Sequence, residues 1–415
     1  MRPDGFPIGP RGGAPPPPDA LERPGDGSCL TRRLAGRRAF ERRREAASAM
    51  ARLGHLLSVL GLVLCGATGL GLSAPPSPTP KKPIIGILMQ KCHNKNMRAL
   101  GKYYIAASYV KFLESAGARV VPVRLDLKNE EYEKLFKSIN GVLFPGGSVN
   151  LMRSGYARVA KTFYNLSIKV LVLLHPVAAL SYFLVRHLIL DSREPSSSAD
   201  QPSVLGLINV NQALMVADFG EGDYFPVWGT CLGFEELIYL VSGESLLTLT
   251  DTVGIKLPLN FSRGTLQSRM FQNFPADLLL SLAVEPLTAH FHKWSLSVMN
   301  FTKNEKLKAF FNILTTNTDG NIDFISTMEG NQYPIYGVQW HPEKAPYEWG
   351  QLRGISHAPN AVKAAFYLAE FFVAEARKSN HHFQSDVEEN KALIYQYRPT
   401  YTGNVSSFQQ SYIFD

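Results

Sequence analysis

The sequence predicts an α/β fold, with a central, mostly parallel sheet flanked by helices. The first indication is the continuous apolar run Ile84-Ile85-Gly86-Ile87-Leu88, which is typical of a buried parallel strand. The second is that strand-like and helix-like segments then alternate along the chain. Alternation at this spacing is typical of parallel strands connected by crossover helices.

The predicted elements continue in a regular order up to residue 147. We expect a helix over 103–116, a strand over 119–124, a helix over 130–139 and a strand over 141–144 that leads into Pro145-Gly146-Gly147. The alternation is lost between residues 170 and 217 and resumes with an apolar strand at 224–228. We therefore interpret 170–217 as an atypical insertion into a single domain that spans 84–415.

Three segments precede this domain. Residues 1–49 are rich in Pro, Gly and Arg and lack apolar periodicity, so we expect a disordered extension that is absent from the mature protein. Residues 50–74 begin with Met50 and combine a short basic start, an apolar core and small residues at the cleavage region, which predicts a signal peptide. A membrane anchor and a transit peptide are the alternatives. Residues 75–83 form a Pro-rich joint.

The charge and the cysteines exclude some classes of protein. Of the net charge of +8, half comes from residues 1–49, which hold ten Arg against six Asp or Glu. The remaining excess is diffuse and predicts no nucleic-acid partner. Cys92 and Cys231 are the cysteines expected in the mature chain. They could form one disulfide, but two cysteines make no disulfide framework, and a free reactive Cys is favoured.

The apolar start of the insertion and four sequons bear on the cellular setting. Val170 to Leu190 is long enough to span a bilayer, but its His, Pro and Arg residues disfavour a transmembrane helix, so we expect no membrane contact unless the insertion anchors the chain.

The sequons lack Pro at the middle position and predict surface N-glycosylation at Asn165, Asn260, Asn300 and Asn404.

Gly229-Thr230-Cys231-Leu232-Gly233 follows an apolar strand and precedes a helix-like stretch at 234–241. This pattern predicts a nucleophile elbow, in which small flanking residues allow a sharp turn that exposes Cys231 and directs the next backbone N–H toward a developing oxyanion. The helix N-terminus is expected to lower the pKa of the thiol. The alternative interpretation is a buried core Cys between turn glycines.

Gln339-Trp340-His341-Pro342-Glu343 follows a second predicted strand about 110 residues downstream. Cysteine hydrolysis needs an imidazole that takes and returns a proton, and a carboxylate that orients it. Alone, His341 would more often be a structural or surface His. Together with the elbow, His341 and Glu343 indicate a cysteine hydrolase.

From Lys81 to Asp415, apart from the insertion, the chain resembles the class I glutamine amidotransferase superfamily, whose pattern is G-x-C-x-G followed by H-P-E. Within that superfamily it is similar to the γ-glutamyl hydrolase family, peptidase family C26. The matching segments are 83–90, 143–148, 228–235, 291–294 and 339–343.

The resemblance implies a glutamine amidotransferase-like (flavodoxin-like) fold and assigns the site residues. Cys231 becomes the nucleophile, His341 the catalytic base and acid, and Glu343 its orienter. His292 matches a further active-site position, although by itself it would be interpreted as a packed core residue. The backbone N–H groups of Gly146, Gly147 and Leu232 are expected to form the oxyanion hole; the glycines could otherwise be turn formers.

The resemblance also implies a function. We expect a thiol hydrolase that cleaves γ-glutamyl bonds of folylpoly-γ-glutamates and antifolate polyglutamates through a Cys thioester, without a metal or organic cofactor. The expected protein is a homodimer found in the lysosome and secreted. Three alternatives remain: an isoform inactivated or membrane-tethered by its insertion, a glutaminase subunit that feeds ammonia to a synthase, and a general cysteine peptidase that cuts α-peptide bonds.

Overall fold

The computed structural model of the protein describes residues 82–169, 224–350 and 352–415. Its centre is an eight-stranded sheet with the spatial order β4-β1-β5-β6-β12-β11-β10-β8. These strands are β1 (Ile84–Leu88), β4 (Arg119–Val123), β5 (Gly141–Phe144), β6 (Val227–Thr230), β8 (Asn260–Phe261), β10 (Phe311–Thr318), β11 (Asp323–Gly330) and β12 (Ile335–Val338). The first five strands in the spatial order run parallel, and the last three are added antiparallel. The predicted fold class is confirmed.

The parallel strands are buried because their sequences are nearly continuous apolar runs. Every residue of β1, β5, β6 and β12 is buried. Such strands need cover on both faces, which in this fold class comes from helices. The helices are α1 (Lys95–Arg98), α2 (Ala107–Glu114), α3 (Asn129–Phe136), α4 (155–169), α5 (Leu232–Ser242), α6 (Ala276–Val284), α7 (Val298–Lys303), α8 (Glu305–Phe310), α9 (Lys344–Tyr347), α10 (Pro359–Ala376) and α11 (Asp386–Ala392).

Aromatic side chains join the helices to the sheet. Trp228 of β6 is fully buried, and its ring centroid lies 6.3 Å from that of Phe112 on α2 and 5.5 Å from that of Phe372 on α10. Phe225, just before β6, lies 4.1 Å from Phe136 on α3. Large rings bury much apolar area each, so these contacts contribute strongly to the core that fixes the position of β6.

Two smaller sheets lie outside the central one. The first has the order β13-β14-β3-β2, with β2 (Gln90–Lys91), β3 (Tyr103–Ala106), β13 (Pro399–Tyr401) and β14 (Gln410–Phe414). The second pairs β7 (Leu247–Leu257) with β9 (Thr288–Leu296). The prediction of a helix over 103–116 was wrong for its first four residues. Tyr103 to Ala106 form β3 because they pair with β14 near the end of the chain.

Several sequence predictions lie outside the described residues. They are the extension 1–49, the signal peptide 50–74, most of the joint 75–83 and the insertion 170–217. Of the helices in the described ranges, none is both long and apolar enough to cross a membrane.

The nucleophile helix approaches the sheet at a glycine contact. An added Cβ on Gly233, in the first turn of α5, would lie 2.0 Å from the carbonyl oxygen of Phe144 at the end of β5. An added Cβ on Gly229 would in turn lie 2.6 Å from the carbonyl carbon of Gly233. Such distances leave no room for a side chain, so the glycines permit the close packing of α5 on the sheet.

We expect Gly233→Ala to lower the free energy of unfolding by at least about 1–3 kcal/mol, because the new methyl group overlaps the Phe144 backbone and forces α5 away from β5. Urea unfolding followed by circular dichroism measures this change. The matched control is Gly155→Ala at the exposed start of α4, where the nearest atom would be 3.7 Å away. The control should stay within about 0.5 kcal/mol of wild type. Equal stability of both variants would contradict the close-packing argument.

Candidate active site

Cys231 lies at the sharp turn between β6 and α5. Its φ of 52° and ψ of −106° make it the one non-glycine residue with positive φ in the described part of the chain. A conformation of this kind costs on the order of 1–3 kcal/mol and persists only where its surroundings fix it. Here the Cys231 N–H donates to the Val338 carbonyl at 2.8 Å, and the Cys231 carbonyl accepts from the Glu235 N–H at 2.9 Å. The predicted nucleophile elbow is therefore present.

His341 and Glu343 follow β12 and form a buried pair. His341 Nδ1 lies 2.7 Å from Glu343 Oε1, and the two side chains are 5% and 1% exposed. Burial by itself raises the pKa of Glu343, but the charge and hydrogen bond of His341 outweigh it and hold that pKa below its ordinary value. An ionised Glu343 accepts a hydrogen bond from Nδ1–H of His341, so Nε2 of the neutral ring is left as the proton acceptor.

Gly146 brings the nucleophile and the base together. An added Cβ at Gly146 would lie 2.7 Å from His341 Cε1 and 3.2 Å from Cys231 Cβ, so the glycine fits between the two side chains. Gly146 follows β5, Cys231 follows β6 and His341 follows β12, which are adjacent parallel strands. Their carboxyl ends meet at the same edge of the sheet, where open α/β folds bind their ligands.

The three predicted oxyanion donors have different surroundings. The backbone N–H of Leu232, the residue after the nucleophile, works to lower the pKa of Cys231. Gly147 packs against Gln90, whose side chain an added Cβ would meet at 2.5 Å. The Gly146 N–H instead donates to Tyr109 Oη at 2.9 Å, so it is already committed to a hydrogen bond. Gly146 contributes to the site mainly because it lacks a side chain.

The expectation of a lowered thiol pKa was wrong. Burial raises the pKa of Cys231 well above its ordinary value, and the carboxyl groups of Glu235 and Glu343 add to the rise. The Leu232 N–H at the start of α5 works in the expected direction but is too weak to compensate. Burial also lowers the pKa of His341, despite the opposing effect of Glu343. The resting pair is thus a neutral thiol and a neutral imidazole.

His292 lies close to this pair but is not hydrogen-bonded to it. Its Nε2 is 3.0 Å from His290 Nδ1, and its Nδ1 is 3.0 Å from Thr252 Oγ1. Burial lowers the pKa of His292 to about 3, with the charge of His341 as a lesser cause in the same direction. His292 is therefore a neutral, hydrogen-bonded ring on β9, and that strand contacts the base through the bond from the His341 N–H to the Ala289 carbonyl at 2.9 Å.

Both described cysteines are free and buried, which excludes the Cys92–Cys231 disulfide and confirms a free thiol at Cys231. The sequons are less uniform than expected. Asn165, Asn260 and Asn404 are exposed, as predicted. Asn300 is half-buried, and its Nδ2 donates to the Leu246 carbonyl at 2.8 Å and to Thr248 at 3.2 Å, so its amide is not free.

Sequence reasoning missed Tyr109 on α2. Its hydroxyl accepts from the Gly146 N–H and lies 3.4 Å from His341 Nδ1. Burial raises the pKa of Tyr109 well above its ordinary value, and Glu343 adds to the rise, so the hydroxyl stays protonated. Tyr109 joins the strand-end glycine to the base. Its local sequence carries no motif, because its role depends on contacts with residues far along the chain.

This geometry is that of a cysteine hydrolase. Residues 83–162 and 210–343 match the family model Peptidase C26. The γ-glutamyl hydrolases of Bos taurus and Homo sapiens are 84% and 66% identical to the chain over 366 residues, covering 88% of this chain and 100% of each relative. The γ-glutamyl hydrolase 1 of Arabidopsis thaliana is 33% identical over 355 residues, covering 81% of this chain and 85% of that protein. The chain belongs to the peptidase C26 family.

Exchanging the orienting carboxylate tests the assigned tautomer. We expect Glu343→Gln to lower kcat by about 100-fold or more with little change in KM, because an amide can donate to Nδ1 and leave the proton on Nε2. Steady-state hydrolysis of a γ-glutamyl substrate measures both constants. The control is Glu305→Gln, whose side chain is 85% exposed. An unchanged kcat in Glu343→Gln would contradict the role of Glu343.

Two further carboxyl groups are buried behind the nucleophile on α5. Glu235 Oε1 accepts from Gln339 Nε2 at 3.1 Å, whereas both carboxyl oxygens of Glu236 are enclosed without a hydrogen-bond partner in the described residues. Burial raises the pKa of Glu235 to about 8 and that of Glu236 to about 8. Both are therefore neutral acids at mildly acidic pH.

These raised pKa values predict a loss of stability toward neutral pH. The unfolded chain releases these protons near pH 4.5 and the folded chain near pH 8, so the free energy of unfolding falls between those values. The steepest slope is about 1.4 kcal/mol per pH unit for each group. We expect Glu236→Gln to reduce the fall, and the exposed control Glu370→Gln to retain it. Urea unfolding at about pH 5 and about pH 7.5 measures the difference; equal falls in Glu236→Gln and wild type would contradict burial of an acid.

Proposed function

We propose that the chain cleaves γ-glutamyl bonds of folylpoly-γ-glutamates and antifolate polyglutamates, releasing glutamate or short poly-γ-glutamates. The observation that carries this proposal is the assembly of Cys231, His341 and Glu343 around Gly146 in a chain that aligns with the full length of mammalian γ-glutamyl hydrolases. The catalytic residues supply an activated nucleophile, a proton carrier and its orienter, which are the groups that acyl transfer requires.

The reaction begins from the neutral pair. As Cys231 Sγ attacks the γ-carbonyl carbon, its proton passes to His341 Nε2, the sulfur–carbon bond forms, and the carbonyl electron pair moves to oxygen near the Leu232 N–H. The carbon–nitrogen bond then breaks, and the leaving amine takes the proton from His341. A water molecule gives a proton to His341 and adds to the thioester. Cys231 departs as the leaving group and recovers its proton.

The neutral resting pair favours this chemistry at mildly acidic pH. His341 is the base only while its ring is uncharged, and burial lowers its pKa and so extends the neutral form toward acidic pH. Because the pKa of His341 is lowered, the proposed activity is retained as the pH falls, until the pH reaches the pKa of His341 in the folded enzyme.

The cellular setting is proposed from the sequence. The signal-peptide pattern at 50–74 and the exposed sequons at Asn165, Asn260 and Asn404 support passage through the secretory pathway to the lysosome and the exterior. Homodimerisation is proposed on the family resemblance. No metal or organic cofactor enters the proposed reaction.

The alternative to this proposal is a form of the enzyme that the insertion 170–217 inactivates. The family match leaves residues 163–209 uncovered, whereas the nucleophile, the base and its orienter all lie within matched residues. Additional residues between two elements cost little chain entropy, so we propose that catalysis survives the insertion.

Expression from Met50 in a secretory host tests both candidates. Wild type, Cys231→Ala and a variant lacking 170–217 are compared in hydrolysis of a folate pentaglutamate at mildly acidic pH. We expect wild type and the deletion variant to shorten the γ-glutamyl tail and Cys231→Ala to be inert, because the thioester needs the sulfur. An active deletion variant beside a folded, inert wild type would assign inactivation to the insertion. Inert wild type and deletion variant together would contradict the proposed function.

A further inference from the structure

The Tyr109 hydroxyl is enclosed beside the catalytic residues. Tyr109 on α2 is only 1% exposed, and its Oη accepts the Gly146 N–H at 2.9 Å. The same oxygen lies 3.4 Å from His341 Nδ1. An added Cβ at Gly146 would lie 2.8 Å from this hydroxyl and 2.7 Å from His341 Cε1, so the glycine leaves room for both groups. One hydroxyl thus contacts the strand-end peptide and the base.

The hydrogen-bond pattern indicates where the Tyr109 proton is directed. A phenol has one proton to donate, and the Tyr109 oxygen already accepts from the Gly146 N–H. His341 Nδ1 carries a proton that it donates to Glu343 Oε1, so it cannot accept another from Tyr109. Burial, the charge of Glu343 and a hydrogen bond to Glu343 all raise the pKa of Tyr109. The phenol is therefore protonated and has the Glu343 carboxylate as an acceptor.

The Glu343 carboxylate needs such a donor. Its side chain is 1% exposed, and its Oε1 is engaged by His341. Its Oε2 is enclosed, and the described part of the chain offers this oxygen no other donor in good geometry. A buried carboxylate oxygen is costly unless a hydrogen bond satisfies it, so a neighbouring hydroxyl that supplies a proton stabilises the ionised form. Tyr109 has such a proton.

The core holds Tyr109 at this position. Phe112 lies three residues further along α2 and therefore on the same face of the helix as Tyr109. Its ring centroid is 6.3 Å from that of Trp228 on β6, the strand that ends at Cys231. Buried aromatic contacts thus fix the hydroxyl relative to the nucleophile elbow.

We propose that Tyr109 is a positioning residue for hydrolysis: its hydroxyl, held by the Gly146 N–H, donates to the Glu343 carboxylate and fixes the His341–Glu343 pair beside Cys231. The inference rests on the proposed function, because the pair matters only where His341 is the base. The hydrogen bond also shares part of the Glu343 charge, so less of that charge stabilises the imidazolium form of His341. Tyr109 thereby helps to keep His341 neutral at mildly acidic pH.

Exchanging Tyr109 for Phe removes the hydroxyl and keeps the ring. We expect Tyr109→Phe to lower kcat for a γ-glutamyl peptide about 10- to 100-fold with little change in KM, the usual effect of losing one hydrogen bond to a charged group. The acidic limb of the kcat/KM profile should move to higher pH. The reason is that a Glu343 charge no longer shared with Tyr109 raises the pKa of His341.

The direction of this shift is specific to Tyr109. The other titratable groups that face His341 are Cys231, His290, His292 and Lys344. Tyr109→Phe leaves all of them in place, so a displaced limb reports the bond between Tyr109 and Glu343. In a Glu343→Gln background, adding Tyr109→Phe should change kcat much less, because the carboxylate that Tyr109 orients is gone.

The matched control is Tyr132→Phe on α3. The buried Tyr132 hydroxyl also accepts a backbone N–H, from Leu127 at 3.2 Å, and donates to the Arg124 carbonyl at 2.9 Å. This control should lose comparable stability in thermal unfolding and keep both kcat and the acidic limb. Alkylation of Cys231 by iodoacetamide gives a second pH profile that needs no substrate. We expect its acidic limb to move in Tyr109→Phe in the same direction.

Several outcomes would overturn the inference. An unchanged kcat in Tyr109→Phe would do so, as would a lowered kcat whose acidic limb stays in place. A much larger loss of stability than in Tyr132→Phe would assign the hydroxyl to folding instead. Wild type that cleaves no γ-glutamyl substrate would contradict the proposed function, whereas the alkylation profiles would still decide whether Tyr109 positions the pair.

Discussion

The active site depends on one backbone constraint, the positive φ of Cys231 at the end of β6. The turn is held from both neighbouring strands, since Gly233 packs on the Phe144 carbonyl of β5 and the Cys231 N–H bonds to Val338 of β12. The strand register therefore sets the position of the sulfur. The same strands carry Gly146 and His341 at their ends, so the interaction that strains the nucleophile also places it beside its base.

Burial controls the electrostatics of this arrangement. It raises the pKa of Cys231 and of the acids Glu235 and Glu236, and it lowers the pKa of His341. The proton therefore passes from sulfur to imidazole only when substrate is attacked. At that moment the oxyanion donors stabilise the negative charge that develops on the carbonyl oxygen.

The fold was predictable where local sequence decides it. The buried strands Ile84–Leu88 and Gly141–Phe144 are apolar runs that can form little else, and the motifs around Cys231 and His341 are compact enough to be recognised. Prediction failed where distant residues decide. Tyr103 to Ala106 become a strand by pairing with β14 and with β2, and Lys344 and Phe408 meet only in the folded chain. The thiol pKa was mispredicted because burial outweighs a helix N-terminus.

The C-terminal sheet has a consequence for biosynthesis. Ser411 of β14 pairs with Ala106 of β3, and Phe408, just before that strand, contacts Lys344. During translation, β2 is available to pair with β3 at once, whereas β14 is synthesised only after most of the domain. Contacts of such long sequence separation form late. The residues that form the elbow at Cys231 are therefore all synthesised before β14, which pairs with β3.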